Sequence, residues 1–367
     1  MFKDLKLIKF IEIRYADPIS SIDLTDDYLL FGSMLGAVKS YDIKNRKLRN
    51  ISNVEDEFIS GVKISQNKFY ICIGDVKFYT INIGEDFEDN KTEMNNYEND
   101  KEHENNCKDC LAMLNNNYLI RTFIKFPEEP KEAPKTENTK FIIKNIFNEK
   151  EEFKGEIEMS NYCVPFDFDE KMFIIIDFIS ENNRKYILYN VNSKEKIEIE
   201  EDQLKEKNIG HISHLKIIKD DRIFIVRNYN ICEIRNFNLE LIKQLNIKSS
   251  EILAFDLLFD EDINEIKKDN EIQNSENTDL SKEKENKGKE LVYVIILDLD
   301  CNVILYDYRQ DKSELLFNLE NDDIGIDKDI IDQRLFCFGY PYYIKFTKNH
   351  IAISTDYGCI LLKFNLI

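Results

Sequence analysis

Residues Leu29 to Ile43 read as two short apolar runs around a Gly-containing turn, the way a β-hairpin is written in sequence. Alternation puts Val38, Ser40 and Asp42 on one face and Ala37, Lys39 and Tyr41 on the other. The hairpin recurs with variations along the whole chain. That recurrence constrains the fold more than any single residue does, because a hairpin unit of this size cannot bury its apolar faces alone.

Each unit reads as about four antiparallel strands. The first holds Ile19–Leu24, the Leu29–Ile43 hairpin and Lys47–Ile51. Further units span Gly61–Ile83, Leu111–Met159, Cys163–Glu200, Ile212–Ile247 and Ile252–Leu319, and Tyr343–Leu366 gives only three strands of a seventh. The first two strands of a unit are joined by turn-forming residues: Asp26-Asp27, Gln66-Asn67, Asn115-Asn116-Asn117, Asp169-Glu170, Asp220-Asp221 and Lys348-Asn349. Tyr41-Asp42, Tyr189-Asn190 and Tyr306-Asp307 occupy matching places, with Ile234-Arg235 as the expected equivalent in the fifth unit.

Three polar stretches interrupt the pattern, Glu85–Lys108, Pro127–Thr139 and Ile263–Lys289, and read as disordered insertions. Without them roughly 43 residues remain per unit, inside the ~40–45 residue period of a propeller blade. The repeat therefore resembles the WD-repeat family, with Tyr-Asp or Tyr-Asn standing where that family carries Trp-Asp. The resemblance implies an all-β fold over residues 1–367: one seven-bladed β-propeller of four-stranded blades. The unassigned strand at Leu5–Tyr15 would complete the last blade and close the ring, leaving no open strand edge there. The chain departs from the family in keeping one Gly-His pair, Gly210-His211, and in placing Leu35 where the usual turn Asp stands.

Packing must come from Phe, Ile, Leu and Tyr, since the chain has no Trp while 12% of its residues are aromatic. The net charge of −20 disfavours phosphate-backbone binding, and with it nucleic acid and anionic membrane surfaces. It suits a partner with a basic surface. No apolar run reaches the ~18 residues of a membrane span, and the N-terminus lacks the apolar core of a signal peptide. Cys72, Cys163, Cys232 and Cys359 fall inside expected strands, which reads as buried free thiols in a reducing, cytoplasmic setting.

No motif carries a catalytic constellation. His103-x3-Cys107-x2-Cys110 has zinc-like spacing, but no second Cys pair completes it and Cys110 adjoins an apolar strand. His211 and His214 lie near a strand start, where turn stabilisation outweighs catalysis as a reading. The Asp26-Asp27 and Asp220-Asp221 pairs repeat at equivalent turns, which argues for turn chemistry rather than paired catalytic carboxylates. No phosphate-binding Gly-rich loop, nucleophile elbow or phosphoinositide motif is present. The expectation is no enzyme, no cofactor and no metal.

The stretch that stands out is the long connection from Asn321 to Tyr342, acidic in its first half and aromatic in its second. Arg334, Phe336, Phe338, Tyr340 and Tyr342 are the expected partner-binding residues, since Arg and aromatics dominate interface anchors. A scaffold or adaptor in a multi-subunit assembly is the leading expectation. The alternatives are a phospho-peptide or modified-peptide reader, drawing on Arg14, Arg227, Arg235 and Arg334, and a propeller enzyme with a central-channel site.

Overall fold

The computed structural model describes residues 6–12, 17–53, 57–74, 77–85, 92–93, 109–115, 118–124, 136–145, 152–160, 163–168, 172–180, 183–191, 193–200, 210–218, 222–260, 290–322, 342–356 and 358–364. Among them lie 28 strands, grouped as seven four-stranded antiparallel sheets. Sheet 1 holds β2 (Ile19–Leu24), β3 (Tyr28–Ser33), β4 (Ala37–Asp42) and β5 (Lys47–Asn53). Sheet 2 holds β6 (Ile59–Ser65), β7 (Lys68–Ile73), β8 (Lys77–Asn82) and the two-residue β9 (Thr92–Glu93). Sheet 3 holds β10 (Asp109–Asn115), β11 (Tyr118–Ile124), β12 (Thr136–Asn145) and β13 (Glu152–Ser160). Sheet 4 holds β14 (Cys163–Phe168), β15 (Met172–Ser180), β16 (Asn183–Asn190) and β17 (Lys196–Glu200).

Sheet 5 is built from β18 (Ile212–Ile218), β19 (Arg222–Arg227), β20 (Ile231–Asn236) and β21 (Leu241–Gln244). Sheet 6 follows with β22 (Ile252–Phe259), β23 (Leu291–Asp298), β24 (Asn302–Asp307) and β25 (Lys312–Asn318). Sheet 7 takes β26 (Ile344–Phe346), β27 (His350–Thr355) and β28 (Gly358–Lys363) from the C-terminal part of the chain. Its fourth strand is β1 (Lys6–Glu12), paired antiparallel with β28 from Lys6↔Lys363 to Glu12↔Gly358.

Burial explains the composition of each strand. The second strand of a sheet is covered on both faces by neighbouring sheets, so it is apolar almost throughout, as in Lys68-Phe-Tyr-Ile-Cys-Ile73, buried from Phe69 to Ile73. The fourth strands are mostly exposed, as β21 and β17 show. Apolar clusters fill the spaces between successive sheets: Leu30, Ile59 and Ile71 between sheets 1 and 2, Tyr186 and Ile225 between 4 and 5, Val226 and Val294 between 5 and 6, and Leu305 and Ile353 between 6 and 7. One further cluster joins Ile11, Ile22 and Phe31 to Ala352 and Leu361, setting the last sheet against the first.

First strands of adjacent sheets are not backbone-paired, and side chains bridge them. From β2, Ser20 Oγ donates to Ile59 O at 2.6 Å, Ser21 Oγ accepts from Val62 N at 3.0 Å, and Asp23 Oδ2 accepts from Ile64 N at 2.7 Å.

Three local expectations shift. The fourth strand of sheet 2, β9, falls inside the stretch read as an insertion at 85–108. The third strand of sheet 3 starts at Thr136 rather than Phe141, overlapping the stretch 127–139. Its polar first half has no apolar signal and is held by backbone pairing, with Lys140 opposite Glu156. In sheet 5 the residues equivalent to Tyr41-Asp42 are Arg235-Asn236, not Ile234-Arg235. Asn236 faces Arg222 at the start of the second strand, as Asp42 faces Tyr28, and Lys216 pairs with Phe224 across a turn one residue longer.

Candidate interaction surface

Antiparallel order puts two kinds of connection on one edge of every sheet: the turn between its second and third strands, and the linker that enters its first. A recurring backbone bond ties the two together. Met34 N donates to Pro18 O at 2.9 Å, Gly74 N to Phe58 O at 2.6 Å, Asn228 N to His211 O at 2.7 Å, Leu299 N to Glu251 O at 2.7 Å and Ser354 N to Tyr343 O at 2.9 Å. In these five sheets the loop edge is therefore cross-braced, which restrains what it displays.

In sheet 1 the buried Asp17 accepts from Leu35 N at 2.7 Å, and Ser33 Oγ accepts from Ala37 N at 2.9 Å. These bonds fix the turn, and its two apolar side chains, Met34 and Leu35, are left exposed. Phe58, also exposed, sits on the linker that enters sheet 2: it precedes Ile59, which packs directly on Gly32, where a Cβ would collide with the Ile59 side chain. In sheet 5, Asn228 and Tyr229 both take positive φ, 49° and 68°, at the centre of a turn closed by Asn230 N donating to Arg227 O at 3.3 Å. Asn228 Oδ1 accepts from His211 N at 3.2 Å, and exposed Tyr229 lies over the His211 ring at 5.2 Å. His211 thus lies on the linker and braces the turn. His214 sits deeper, its Nδ1 3.2 Å from Ser213 Oγ, and burial holds its pKa down, favouring the neutral ring.

Sheet 6 repeats the buried-carboxylate device of sheet 1. Asp298 accepts from Asn302 N at 2.9 Å and from Ser250 N at 3.2 Å, bracing turn and linker together. The long connection after β25 leaves from this same edge. Asn318 Oδ1 accepts from Glu320 N and Asn321 N, and Asp322 Oδ2 accepts from Asn318 N at 2.6 Å. At its far end Tyr342 is half-buried against the cluster between sheets 6 and 7, and its hydroxyl donates to Asp356 Oδ1 at 3.0 Å. Arg334, Phe336, Phe338 and Tyr340 lie outside the described residues, as do His103 and Cys107. The structure thus places one of the five expected partner-binding residues, Tyr342, and gives it a packed base and a tethered hydroxyl.

On the opposite edge the Tyr-Asp and Tyr-Asn pairs divide their labour. Tyr41, Tyr189 and Tyr306 are buried, while Asp42, Asn190 and Asp307 accept backbone N–H bonds from Asn45, Ser193 and Arg309. Arg235, in the Tyr position of sheet 5, is buried and donates to Glu233 Oε2 and to Leu239 O. Arg227 holds the other Glu233 oxygen at 2.8 Å. A groove of about 620 Å³ opens between sheets 4 and 5, lined by Leu188, Asn190, Ile197, Asn236 and Phe237. Among the described residues no helix is long and apolar enough to cross a membrane.

No family model matches the sequence, and no curated protein matches it. Solved structures do. The WD40 β-propeller domain of Doa1 aligns over 100% of this chain and 98% of its own length, with a TM-score of 0.54 and 8% identity. The Dos1 propeller covers 98% of this chain and 94% of its own length at a TM-score of 0.50 and 9% identity. The computationally designed Ika8 protein covers 98% and 100% at 0.51 and 10% identity. In its fold this chain is a β-propeller, similar to the WD40 propeller domain of Doa1.

Proposed function

We propose that the chain is a closed seven-bladed propeller that works as a non-catalytic scaffold, binding other proteins within a multi-subunit assembly through its loop edge. The observation that carries this reading is the display of Met34, Leu35 and Phe58, exposed apolar side chains on connections pinned by backbone bonds. Rigid presentation lowers the ordering cost of binding. The segment 323–341, with Arg334, Phe336, Phe338 and Tyr340, leaves and rejoins the same edge, so its anchors would extend this surface. The net charge of −20 favours a partner with a basic face.

Ring closure by β1 is part of the proposal, supported by β1–β28 pairing and by the apolar cluster between sheets 7 and 1. So are the insertions around 85–108, 127–139 and 263–289, outside β9 and the start of β12, and a reducing, cytoplasmic setting, the latter in keeping with buried free Cys72, Cys232, Cys301 and Cys359. Arg227 and Arg235 grip Glu233 and are not free to cluster on a phosphate, which favours the scaffold over the peptide reader. The test compares complexes captured by the wild-type chain and by the triple variant Met34→Ser, Leu35→Ser, Phe58→Ser, with melting curves alongside. Loss of partners at unchanged melting supports the scaffold, and an unchanged partner set removes this edge from consideration.

A further inference from the structure

One position of the first strand has a pattern that the scaffold reading does not use. It is fixed by pairing with the second strand: Asp23 faces Leu30, Lys63 faces Tyr70 and Met113 faces Ile120. Asp167 likewise faces Ile174, Lys216 faces Phe224, Asp256 faces Ile295 and Lys345 faces Ala352. Read from sheet 1 to sheet 7, the position carries Asp, Lys, Met, Asp, Lys, Asp, Lys.

Neighbouring members touch across three sheet boundaries, 1 to 2, 5 to 6 and 6 to 7. Lys63 Nζ lies 3.4 Å from Asp23 Oδ2. Asp256 lies between two sheets: Lys216 Nζ approaches Oδ1 at 3.3 Å from sheet 5, and Lys345 Nζ at 2.8 Å from sheet 7. The carboxylates also take the next sheet's backbone, Asp23 from Ile64 N at 2.7 Å and Asp256 from Phe346 N at 3.4 Å. Burial alone would raise the carboxyl of Asp256, but Lys345 and Lys216 outweigh it and hold it below its ordinary value.

Signs that alternate around a ring can close only on an even number of members. A ring of seven must contain one break, and the neutral member here is single, Met113, between Lys63 and Asp167 in sheet order. We propose that these seven positions form one girdle of alternating charge on the inner wall, which fixes the neighbour order of the sheets, with Met113 as the neutral member that an odd ring requires. The inference rests on the closed-ring reading above. Its chemistry is that of specificity: a buried pair adds little net stability, yet a wrongly placed like charge is strongly disfavoured. Any order that sets two lysines or two aspartates side by side is penalised, whereas apolar sheet faces alone discriminate little among similar neighbours.

The test moves the neutral member. Lys63→Met with Met113→Lys shifts it to sheet 2 and preserves alternation, and Met113→Asp with Asp167→Met shifts it to sheet 4. The crossed pairs, Met113→Lys with Asp167→Met and Met113→Asp with Lys63→Met, leave like charges adjacent. Thermal melting of the four single and four double variants is the measurement. Each single lowers the midpoint by about 2 °C or more, the matched doubles regain at least half of the summed loss, and the crossed doubles regain none. Equal recovery in matched and crossed pairs, or plain additivity in all four, overturns the girdle. Should the lysine-bearing variants fail to fold, the Met113→Asp arm still decides it. Closure itself is read separately, from deletion of β1 in the wild-type chain: additive doubles with β1 still required for folding would dismiss the girdle and keep the ring.

Discussion

Asp26 and Asn349 lie 323 positions apart in the chain, yet Asn349 Nδ2 donates to Asp26 Oδ2 at 2.8 Å. Thr347 Oγ1 donates to the other oxygen at 2.5 Å, and His350 Nδ1 stands 3.5 Å from that same oxygen. Two turns, one from the first sheet and one from the last, are thus latched by a single carboxylate.

That latch responds to acid. Partial burial raises the carboxyl of Asp26, but His350, Thr347 and Asn349 outweigh it and the folded value lies below the ordinary one. A carboxyl depressed by folding contributes stability above its unfolded value, about 3.9, and loses that contribution as pH falls through the folded value. Asp26→Ala should cost about 2 kcal/mol at pH 6, the usual scale for hydrogen bonds to a charged group. The gap between wild type and variant should narrow below about pH 4. Urea melts at several pH values measure it, and a gap independent of pH would contradict the assignment.

Gly358 tests the seam at β1. It has φ 154°, and a Cβ there would collide with the Ile11 carbonyl on the partner strand, whereas one at Gly74, φ 57°, meets nothing. Gly358→Ala should therefore cost about 3 kcal/mol or more, by forcing β1 off its register, and Gly74→Ala only about 1 kcal/mol of backbone strain. Deleting residues 1–14 should abolish cooperative unfolding. A truncated chain that melts like the whole one would dismiss β1 as the closing strand.

Tyr342 and Tyr340 separate packing from binding. Tyr342→Phe removes the bond to Asp356 and should lower stability by about 1 kcal/mol. Tyr342→Ala also strips its contact with the core between sheets 6 and 7 and should cost about 3 kcal/mol. Tyr340→Ala, if the proposed anchor is real, should leave melting unchanged while binding falls by about 2 kcal/mol. Melting curves beside a partner titration distinguish these outcomes.

The described thiols should be silent in the native state. Burial, and then the Glu233 charge, push Cys232 up to about 12, and burial with Glu320 does the same for Cys301. Cys359 is also raised, chiefly by burial. At pH 8 a thiol of that pKa is ionised to the order of one part in 10⁴. Alkylation followed by peptide mapping should mark these sites only after denaturant is added. Fast native labelling of Cys232 or Cys301 would mean that the sheets open locally.

The sheets themselves were legible in the sequence because burial leaves a period. Strands such as Ile223–Val226 and Ile351–Ile353, covered on both faces, stay apolar throughout, and their turns carry Asp, Asn or Lys. Polar pairing left no such mark, so β9 and the start of β12 were missed. The Arg235 substitution was misplaced by one residue because a lengthened turn is invisible to spacing alone. The contacts between sheets were hidden for a different reason. Asp23, Lys63 and Asp256 each look like ordinary solvent-facing charges in their own strands, and their meaning appears only when equivalent positions are read across sheets. The exposed Met34, Leu35 and Phe58 were legible as apolar residues but not as exposed ones, because exposure follows from how Asp17 and Gly32 seat their loops.

The pairing of β1 with β28 also sets a schedule. Ile11, fully covered in the finished molecule, has to wait for Cys359 and Leu361 to be made. At 5–20 residues per second, ribosomal synthesis keeps that strand without its mate for roughly 20–70 s. Every other sheet can assemble from residues already translated, so the seventh is the step on which vectorial folding must pause. A nascent chain halted before residue 358 would carry an unmatched edge at each extremity, and its protection would fall to chaperones rather than to its own architecture.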